Sequence, residues 1–199
     1  MEATNLHIGC GKNILKDWIN IDILSKKEIC KSYGLEEKDV DGTIYQYDIF
    51  NLPFEAGSVD KILSESNLEH LSFVEEGKIF KEFNRILKKG GVLEICVPDF
   101  EKLVKMWLGA KDDFKDFYTT DEDNHWFGQY ERNFTERWGM LTACLFGNQA
   151  HLGQFHKNAY TKQKLLNIYN KLEFKNLVLT EEKHLRSQEP LIRIIGEKQ

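Results

Sequence analysis

The chain has 199 residues, of which 41% are hydrophobic and 30% charged, as expected for one soluble globular domain of the α/β or α+β class. Its net charge of −5 lacks the basic excess of proteins that bind along a nucleic-acid backbone, so we expect no nucleic-acid partner. No apolar run is long enough to span a membrane, and the first one begins at Leu6. We therefore expect neither a signal peptide nor a membrane partner, and a cytoplasmic location.

Four short apolar runs in the first third of the chain predict β-strands, and each has a glycine or a polar residue at or next to its end. The predicted strands are Leu6–Ile8, Trp18–Ile23, Gly42–Asp48 and Ser58–Ser64. The connection from Cys10 to Asp17 has only eight residues, so its helix must be abbreviated to a turn or two. One further helix is expected within residues 25–41.

A longer helix is predicted at Phe73–Lys89, where apolar residues recur at helical spacing. Lys88 and Lys89 would form a cationic last turn before a stop at Gly90-Gly91. The strand Val92–Val97 follows. Because strands alternate with helices, the pattern indicates a parallel sheet.

The pattern changes after residue 99. Further predicted elements are helices at Phe100–Phe117 and Thr161–Leu172 and an antiparallel strand pair at Phe174–Thr180 and Leu191–Gly196. The aromatic stretch 125–155 is too long for a plain loop and favours a functional insertion or lid. We interpret residues 1–199 as a single domain. It has a cofactor-binding half (1–99), a lid or acceptor insertion (100–160) and a C-terminal helix and strand pair (161–199).

The four cysteines are scattered and show no spacing typical of metal ligands. They are Cys10, Cys30, Cys96 and Cys144. We interpret them as buried thiols in a reducing compartment, and we expect no metal site.

The turn at Gly9-Cys10-Gly11 is the first candidate site. Glycine lets the chain leave a strand sharply and lets a ligand approach, and a helix beginning beyond the turn would offer free N–H groups. Asp22 follows the second strand, where an acid binds ribose hydroxyls in dinucleotide folds. The dinucleotide motif requires a third glycine, but position 14 is Ile. Its acid lies about 20 residues further on, whereas Asp22 is only 13 residues past Gly9, so the motif is incomplete. A glycine-rich strand exit without a ligand is the alternative.

Polar residues also follow the third and fourth strands. Because the carboxyl ends of parallel strands line the ligand crevice, Asp48, Ser64 and Glu65 would join Asp22 around an adenosine. Asp48 would accept from the adenine amino group while Ile49 packs on the ring. The alternative for Asp48 is a turn residue before Asn51-Leu52-Pro53.

Over residues 5–100 the sequence resembles the class I S-adenosylmethionine-dependent methyltransferases, in particular the small-molecule, type 11-like branch. The motifs that carry the resemblance are Leu6-His7-Ile8-Gly9-Cys10-Gly11, Asn20-Ile21-Asp22, Asp48-Ile49-Phe50-Asn51-Leu52-Pro53-Phe54, Ser58-Val59-Asp60, Asn67-Leu68-Glu69-His70-Leu71, Glu82-Phe83-Asn84-Arg85-Ile86-Leu87-Lys88-Lys89-Gly90-Gly91 and Val97-Pro98-Asp99. One departure is Asn13, where the family has a third glycine. The resemblance implies a Rossmann-like α/β fold with a mostly parallel seven-stranded sheet and an antiparallel last strand.

The resemblance also implies S-adenosylmethionine as the cofactor and assigns its contacts. The residues that would bind it are Gly9, Cys10, Gly11, Asp22, Asp48, Ile49, Ser64 and Glu65. The two glycines would contact the methionine part, Asp22 the ribose, and Asp48 with Ile49 the adenine. Ser64 and Glu65 would lie next to the sulfonium.

Methyl transfer to a hydroxyl or a protonated amine needs a base, and His70, His151 and His156 are the candidates. His125 and Asp99 are further options. The alternatives are a helix-capping role for His70 and plain surface loops for His151 and His156.

The predicted function is methyl transfer from S-adenosylmethionine to a small-molecule or sugar-linked acceptor by in-line displacement. One alternative is a methyltransferase-like protein that binds a cofactor or a partner without turnover. Another is a nicotinamide-dependent enzyme, against which the short connection and Asp48 argue. The insertion at 100–160 should cover the cofactor, and a homodimer is left open.

Overall fold

The computed structural model describes residues 3–109, 144–147, 152–184 and 189–199. A seven-stranded sheet forms its centre, in the order β3-β2-β1-β4-β5-β7-β6. The strands are β1 (Asn5–Ile8), β2 (Ile19–Asp22), β3 (Ile44–Gln46), β4 (Val59–Glu65), β5 (Leu87–Pro98), β6 (Phe174–Lys183) and β7 (Pro190–Lys198).

Strands β1 to β5 pair in parallel, whereas β7 runs antiparallel to both β5 and β6. This confirms the predicted Rossmann-like α/β architecture with a mostly parallel seven-stranded sheet and an antiparallel last strand. The carboxyl ends of β1, β2, β3 and β4 therefore lie along one edge, where the candidate site was expected.

The helices around the sheet include α1 (Lys26–Ser32), α2 (Phe73–Ile86), α3 (Phe100–Gly109) and α4 (Lys162–Lys171). Side chains of Ser25, Ser72 and Thr161 accept the capping hydrogen bonds of α1, α2 and α4. Thr161 was the predicted cap of its helix. No described helix has the length and apolar character needed to cross a bilayer.

Helices α2 and α4 close the main core. Ile79 and Phe83 of α2 and Leu165 and Tyr169 of α4 are fully buried in the same cluster as the sheet. The Tyr169 hydroxyl also donates to the carbonyl of Leu93 at 3.2 Å, which fixes α4 against β5.

The predicted end of the longer helix is wrong. Helix α2 stops at Ile86, and Leu87 already has extended backbone at the start of β5. Leu87 is completely buried and pairs with Val59 of β4, while Lys88 bonds Asp60 at 2.7 Å. Sheet pairing therefore overrides the local signals for a cationic last turn and a glycine stop.

The connection between β1 and β2 contains turns and no helix, so the expected short helix and its free N–H groups are also wrong. The buried Asn20 side chain holds this connection. It accepts from the N–H of Leu15 and donates to the carbonyl of Leu15, both at 2.9 Å. The eight residues are too few for a packed helix plus two turns, and the side-chain amide supplies the hydrogen bonds instead.

Other differences concern element ends. Strand β3 ends at Gln46, two residues before Asp48. Helix α3 begins at Phe100 as predicted, and its description ends at Gly109. The predicted remainder of that helix, most of the 125–155 stretch and the proposed lid lie outside the described residues.

A network of charged side chains crosses four strands of the sheet. Arg193 of β7 bonds Glu65 of β4 and Glu94 of β5, each at 2.5 Å, and Glu182 of β6 at 2.7 Å. Lys61 extends the network from Glu94 at 2.7 Å. The Arg193 side chain is 19% exposed and that of Glu94 13%. Removal of Arg193 would therefore leave three carboxylates close together without the cation that they share.

Replacing Arg193 by methionine is expected to lower the free energy of unfolding by about 2–4 kcal/mol. The control is Lys102→Met, which breaks an exposed ion pair with the neighbouring acid Glu181 and should cost below about 1 kcal/mol. Urea unfolding followed by tryptophan fluorescence measures both variants. Equal losses would contradict the central role of Arg193.

Candidate functional site

The glycine turn begins where β1 ends. Gly9 and Gly11 have φ values of +70° and +50°, in the left-handed region that favours glycine. A Cβ atom on Gly9 would also lie 2.4 Å from Cγ of Asn67, whereas one on Gly11 would meet only the Tyr33 hydroxyl at 3.9 Å. Position 9 therefore requires glycine both for its conformation and for the close approach of Asn67.

The N–H groups of this turn are already used within the protein. Those of Gly9 and Cys10 donate to the carbonyl of Ile21 at 2.8 and 3.1 Å, and that of Gly11 donates to Oδ2 of Asp22 at 2.9 Å. These three N–H groups are therefore not available to a ligand, and the turn can contribute close approach of its backbone instead.

Asp22 is held in a fixed orientation at the end of β2. Its Oδ2 accepts from Gly11, and its Oδ1 accepts from the N–H of Leu24 at 2.9 Å. Each carboxylate oxygen has a second lone pair, so the side chain can also accept from a pair of hydroxyl groups. This geometry suits the ribose contact that the sequence predicted.

Asp48 adopts the turn geometry that the sequence analysis gave as the alternative to an adenine contact. Its exposed side chain accepts from the N–H of Phe50 at 2.9 Å through Oδ1. Ile49 is half-buried against the main core. Both residues follow β3, which neighbours β2, so they lie on the same side of the sheet edge as Asp22.

At the exit of β4, Ser64 and Glu65 have different surroundings. Ser64 is buried and its hydroxyl accepts from the side-chain amide of Asn67 at 3.2 Å. Glu65 is bonded to Arg193 in the charged network. The sequence analysis gave Asn67 no role, although an asparagine that follows a polar strand end is a signal for a side chain that fixes a turn.

A second constellation forms just beyond this exit, at the 3-10 helical turn Leu68–His70. Its main chain binds the end of the insertion, because the carbonyl of Glu69 accepts from the N–H groups of Lys157 and Asn158 at 2.8 and 3.1 Å. The insertion thereby brings His156 to His70, with ring centroids 4.9 Å apart.

We call Glu69, His70 and His156 the histidine cluster. One ligand-capable atom from each residue lies within 4.8 Å of the others. Nδ1 of His70 is 3.1 Å from the carbonyl of Phe155, and Nδ1 of His156 is 3.0 Å from that of Cys144. A carbonyl only accepts, so Nδ1 carries the proton in each neutral ring and Nε2 carries the lone pair.

Burial controls the charges of this cluster. It raises the pKa of Glu69 to about 8, and it lowers the pKa of His156 to about 4, with a smaller contribution from His70. It also raises the pKa of the neighbouring Glu189 to about 7. Within the described residues, Oε2 of Glu69 is buried without a hydrogen-bond partner. At neutral pH, His156 is therefore uncharged and Glu69 holds its proton for most of the time.

The structure thus joins two of the three predicted histidines. His70 does not cap the next helix, since Ser72 does, and His156 is partly buried rather than a plain surface residue. His151 and the further candidate His125 lie outside the described residues. Asp99 is buried and caps α3 through its contact with the N–H of Lys102 at 3.0 Å.

Burial raises the pKa of the Cys10 thiol to about 12, which agrees with a packing role for that cysteine. The sequence analysis named Glu69 next to His70 in the motif Asn67-Leu68-Glu69-His70-Leu71, but it missed Glu189 and Cys144 as members of this region. Cys144 lies 75 residues after Glu69, and Glu189 lies 45 residues after Cys144, so no local pattern connects them.

Comparison with known proteins shows what the chain is similar to. Residues 6–95 match the family model described as a methyltransferase domain, which covers the glycine turn, Asp22, Asp48 and the exit of β4. The match spans 90 of the 199 residues, and over this part the chain is similar to a methyltransferase domain. None of the curated protein sequences matches the chain.

Solved methyltransferase structures share the fold. One from Thermotoga maritima, described as a "possible histamine N-methyltransferase", has a TM-score of 0.57 at 18% identity and covers 100% of this chain and 83% of that one. The Burkholderia thailandensis 1,6-didemethyltoxoflavin-N1-methyltransferase, with bound 1,6-didemethyltoxoflavin and S-adenosylhomocysteine, has a TM-score of 0.59 at 13% identity and covers 99% and 71%. The Haemonchus contortus phospholethanolamine N-methyltransferase 2 has a TM-score of 0.54 at 14% identity and covers 100% and 49%.

Gly9→Ala should lower the free energy of unfolding by about 2 kcal/mol, because the new Cβ meets Asn67 and the φ value is strained. Adding Asn67→Ala should recover part of that loss, whereas Asn67→Ala alone should cost about 1 kcal/mol. Urea unfolding of the four proteins gives the coupling energy. Strict additivity would show that the two residues do not press on each other.

The free energy of unfolding should depend on pH through the ionisation of Glu69. Its ordinary pKa is 4.5 and its folded value about 8, so in metal-free buffer stability should fall as pH rises from about 4.5 to 8. His156 acts in the opposite direction only between its folded value of about 4 and its ordinary value of 6.5. Between pH 6.5 and 8, Glu69→Gln should therefore remove a loss of about 1.5–2 kcal/mol. Thermal melts at several pH values measure it, and an unchanged slope would be the contrary result.

Proposed function

We propose that this protein is a methyltransferase that transfers the methyl group of S-adenosylmethionine to a small-molecule or sugar-linked acceptor. The acceptor binds where residues 68–70 meet residues 152–160. The observation that carries this proposal is the meeting of His70 and His156, with a ring separation of 4.9 Å, directly beyond the exit of β4. The cofactor's reactive end is expected at that exit in a sheet of this topology.

The known neighbours support a small acceptor. The Burkholderia enzyme holds 1,6-didemethyltoxoflavin together with S-adenosylhomocysteine, and the Haemonchus enzyme holds phosphomonomethylethanolamine. Those compounds belong to those proteins. For this chain, the shared fold and its net charge of −5 favour a small acceptor over a nucleic acid.

The cofactor contacts in this proposal follow the strand ends. Gly9, Cys10 and Gly11 border the methionine part, and Asp22 accepts from the ribose. Asp48 and Ile49 lie beside the adenine. The contribution of Ser64 is to hold Asn67 over the glycine turn, and that of Glu65 is to keep the β4 exit fixed through Arg193.

The reaction is an in-line displacement in which the acceptor's nucleophilic atom attacks the methyl carbon and the carbon–sulfur bond breaks. The products are the methylated acceptor, S-adenosylhomocysteine and the proton that the acceptor loses. The histidine cluster lies at the point where that proton must leave. The Nδ1 atoms of His70 and His156 face the carbonyls of Phe155 and Cys144, so Nε2 is the nitrogen of each ring that can accept this proton.

A cytoplasmic location is part of the same proposal. All four cysteines are free and buried, which suits a reducing compartment. We propose neither a nucleic-acid partner nor a membrane partner for this protein, and a homodimer is left open.

Isothermal titration with S-adenosylhomocysteine tests the cofactor site. Asp22→Ala should weaken binding by about 10- to 100-fold, because two charge-assisted hydrogen bonds to ribose are lost. The control is Asp17→Asn, an exposed acid in the β1–β2 connection whose left-handed φ of 63° asparagine also adopts. Equal affinities for the wild type and Asp22→Ala would contradict the ribose assignment, provided that both proteins melt cooperatively.

Turnover is tested with S-adenosylmethionine carrying a labelled methyl group and a panel of small hydroxyl and amine acceptors. With an acceptor that is turned over, His70→Gln should reduce kcat by about 100-fold or more while cofactor affinity stays unchanged. Cofactor binding without transfer to any acceptor would instead support the non-catalytic alternative.

A further inference from the structure

The histidine cluster has the composition of a metal site. Two imidazoles and one carboxylate are the protein ligands of many catalytic zinc and iron(II) centres, which keep further positions open for water or substrate. From Glu69, His70 and His156, ligand-capable atoms already lie within 4.8 Å of one another without any ion present. Ligand atoms around one bound ion are roughly 3–4 Å apart. Side-chain adjustments of about an ångström would therefore complete the coordination.

The orientation of both imidazoles suits metal binding. In each ring, Nδ1 lies within 3.1 Å of a backbone carbonyl. Metal-binding histidines commonly donate one ring N–H to such a partner, which fixes the tautomer and directs the other nitrogen to the ion. Here the two carbonyls belong to Phe155 and Cys144, so the insertion supplies this second layer of contacts.

Glu69 provides an independent observation. Its side chain is 3% exposed, and its Oε2 has no hydrogen-bond partner within the part of the chain that the structure describes. A buried polar atom without a partner costs about 1–3 kcal/mol, so its presence needs a reason. A cation bound between this oxygen and the two histidines supplies one.

The surroundings leave little room for anything larger than an ion at this point. The adjoining cavity is about 10 Å³ and is bordered by Glu69, His156, Tyr160 and apolar residues of β5 and α3. This is room for the centre of about one water molecule. A water molecule bound to a metal ion fits that space, whereas a whole acceptor does not.

We propose that Glu69, His70 and His156 bind one divalent first-row transition-metal ion, with Zn²⁺ as the reference ion, and that this ion binds an acceptor hydroxyl oxygen. The role of the ion rests on the proposed methyl transfer, whereas its binding does not. The histidines then act as ligands, and the acceptor loses its proton because the cation lowers the pKa of the bound hydroxyl.

The chemistry of the step selects oxygen over nitrogen. A neutral amine bound to the ion has its only lone pair in the metal bond and cannot attack. A bound hydroxyl releases its proton to water and keeps lone pairs on oxygen. That oxygen forms the new bond to the methyl carbon, the carbon–sulfur bond breaks, and its electron pair stays on sulfur to give S-adenosylhomocysteine. The acceptor class is therefore a small hydroxyl compound, and the product is a methyl ether.

Metal binding is tested on the full-length protein after removal of metals with a chelator. Titration of Zn²⁺ in competition with a chromogenic chelator should show one tight site per chain. Glu69→Gln and His156→Gln should each weaken it by at least about 100-fold, while the matched control His184→Gln should bind as the wild type does. Co²⁺ in the same site should give visible ligand-field absorption that is lost in both cluster variants.

The results bear separately on the metal site, on the cofactor site and on the catalytic role of the ion. Absence of a tight site, or equal affinity in wild type, Glu69→Gln and His156→Gln, overturns the metal proposal. If one cluster variant fails to melt cooperatively, the other and His70→Gln decide it. Binding of S-adenosylhomocysteine to the metal-free protein is measured in parallel, since its loss would contradict the proposed function and leave the metal result standing. Full transfer to a hydroxyl acceptor in the presence of excess chelator would overturn the catalytic role of the ion.

Discussion

The close packing of Asn67 against Gly9 is the contact on which the candidate site depends. Only glycine fits at position 9, because any Cβ would lie 2.4 Å from the Asn67 side chain, and Ser64 holds that side chain from the buried end of β4. The contact joins the exits of two neighbouring strands. It sets the direction of two turns. One is the glycine turn, which leads toward Asp22, and the other is the turn that carries Glu69 and His70. The cofactor end and the acceptor end of the site are therefore positioned by one pair of residues.

The short β1–β2 connection changes how the sheet is stabilised. No helix is present in residues 9–18, and the side-chain amide of Asn20 holds the turns together. The network centred on Arg193 ties β4, β5, β6 and β7 with charged rather than apolar contacts. Because Glu65 belongs to that network, the strand end nearest the proposed reaction is anchored from the far side of the sheet. Rigid support of this kind lets short strands present side chains in a fixed geometry.

Most of the fold could be predicted from local patterns. Buried strands such as Leu6–Ile8 are continuous apolar runs, and the caps Ser72 and Thr161 precede clear helical periodicity. The end of α2 could not be predicted, because the burial of Leu87 and its pairing with Val59 are tertiary effects. The same limit applies to the site. Asp22 and His70 stand in recognisable motifs, whereas the burial of Glu69 and its approach to His156 depend on contacts between residues 87 positions apart in the sequence.

In the proposed complex, the sulfur of the cofactor faces the histidine cluster, and one nucleophilic atom of the acceptor lies between them. A crystal structure of the protein with S-adenosylhomocysteine tests it most directly, through the distance from the bound sulfur to Nε2 of His70. In-line transfer through a methyl group and one acceptor atom predicts a separation of roughly 7 Å, with the ribose hydroxyls on Asp22. A sulfur atom that points away from the cluster, or one more than about 12 Å from it, would contradict the assignment of the acceptor site.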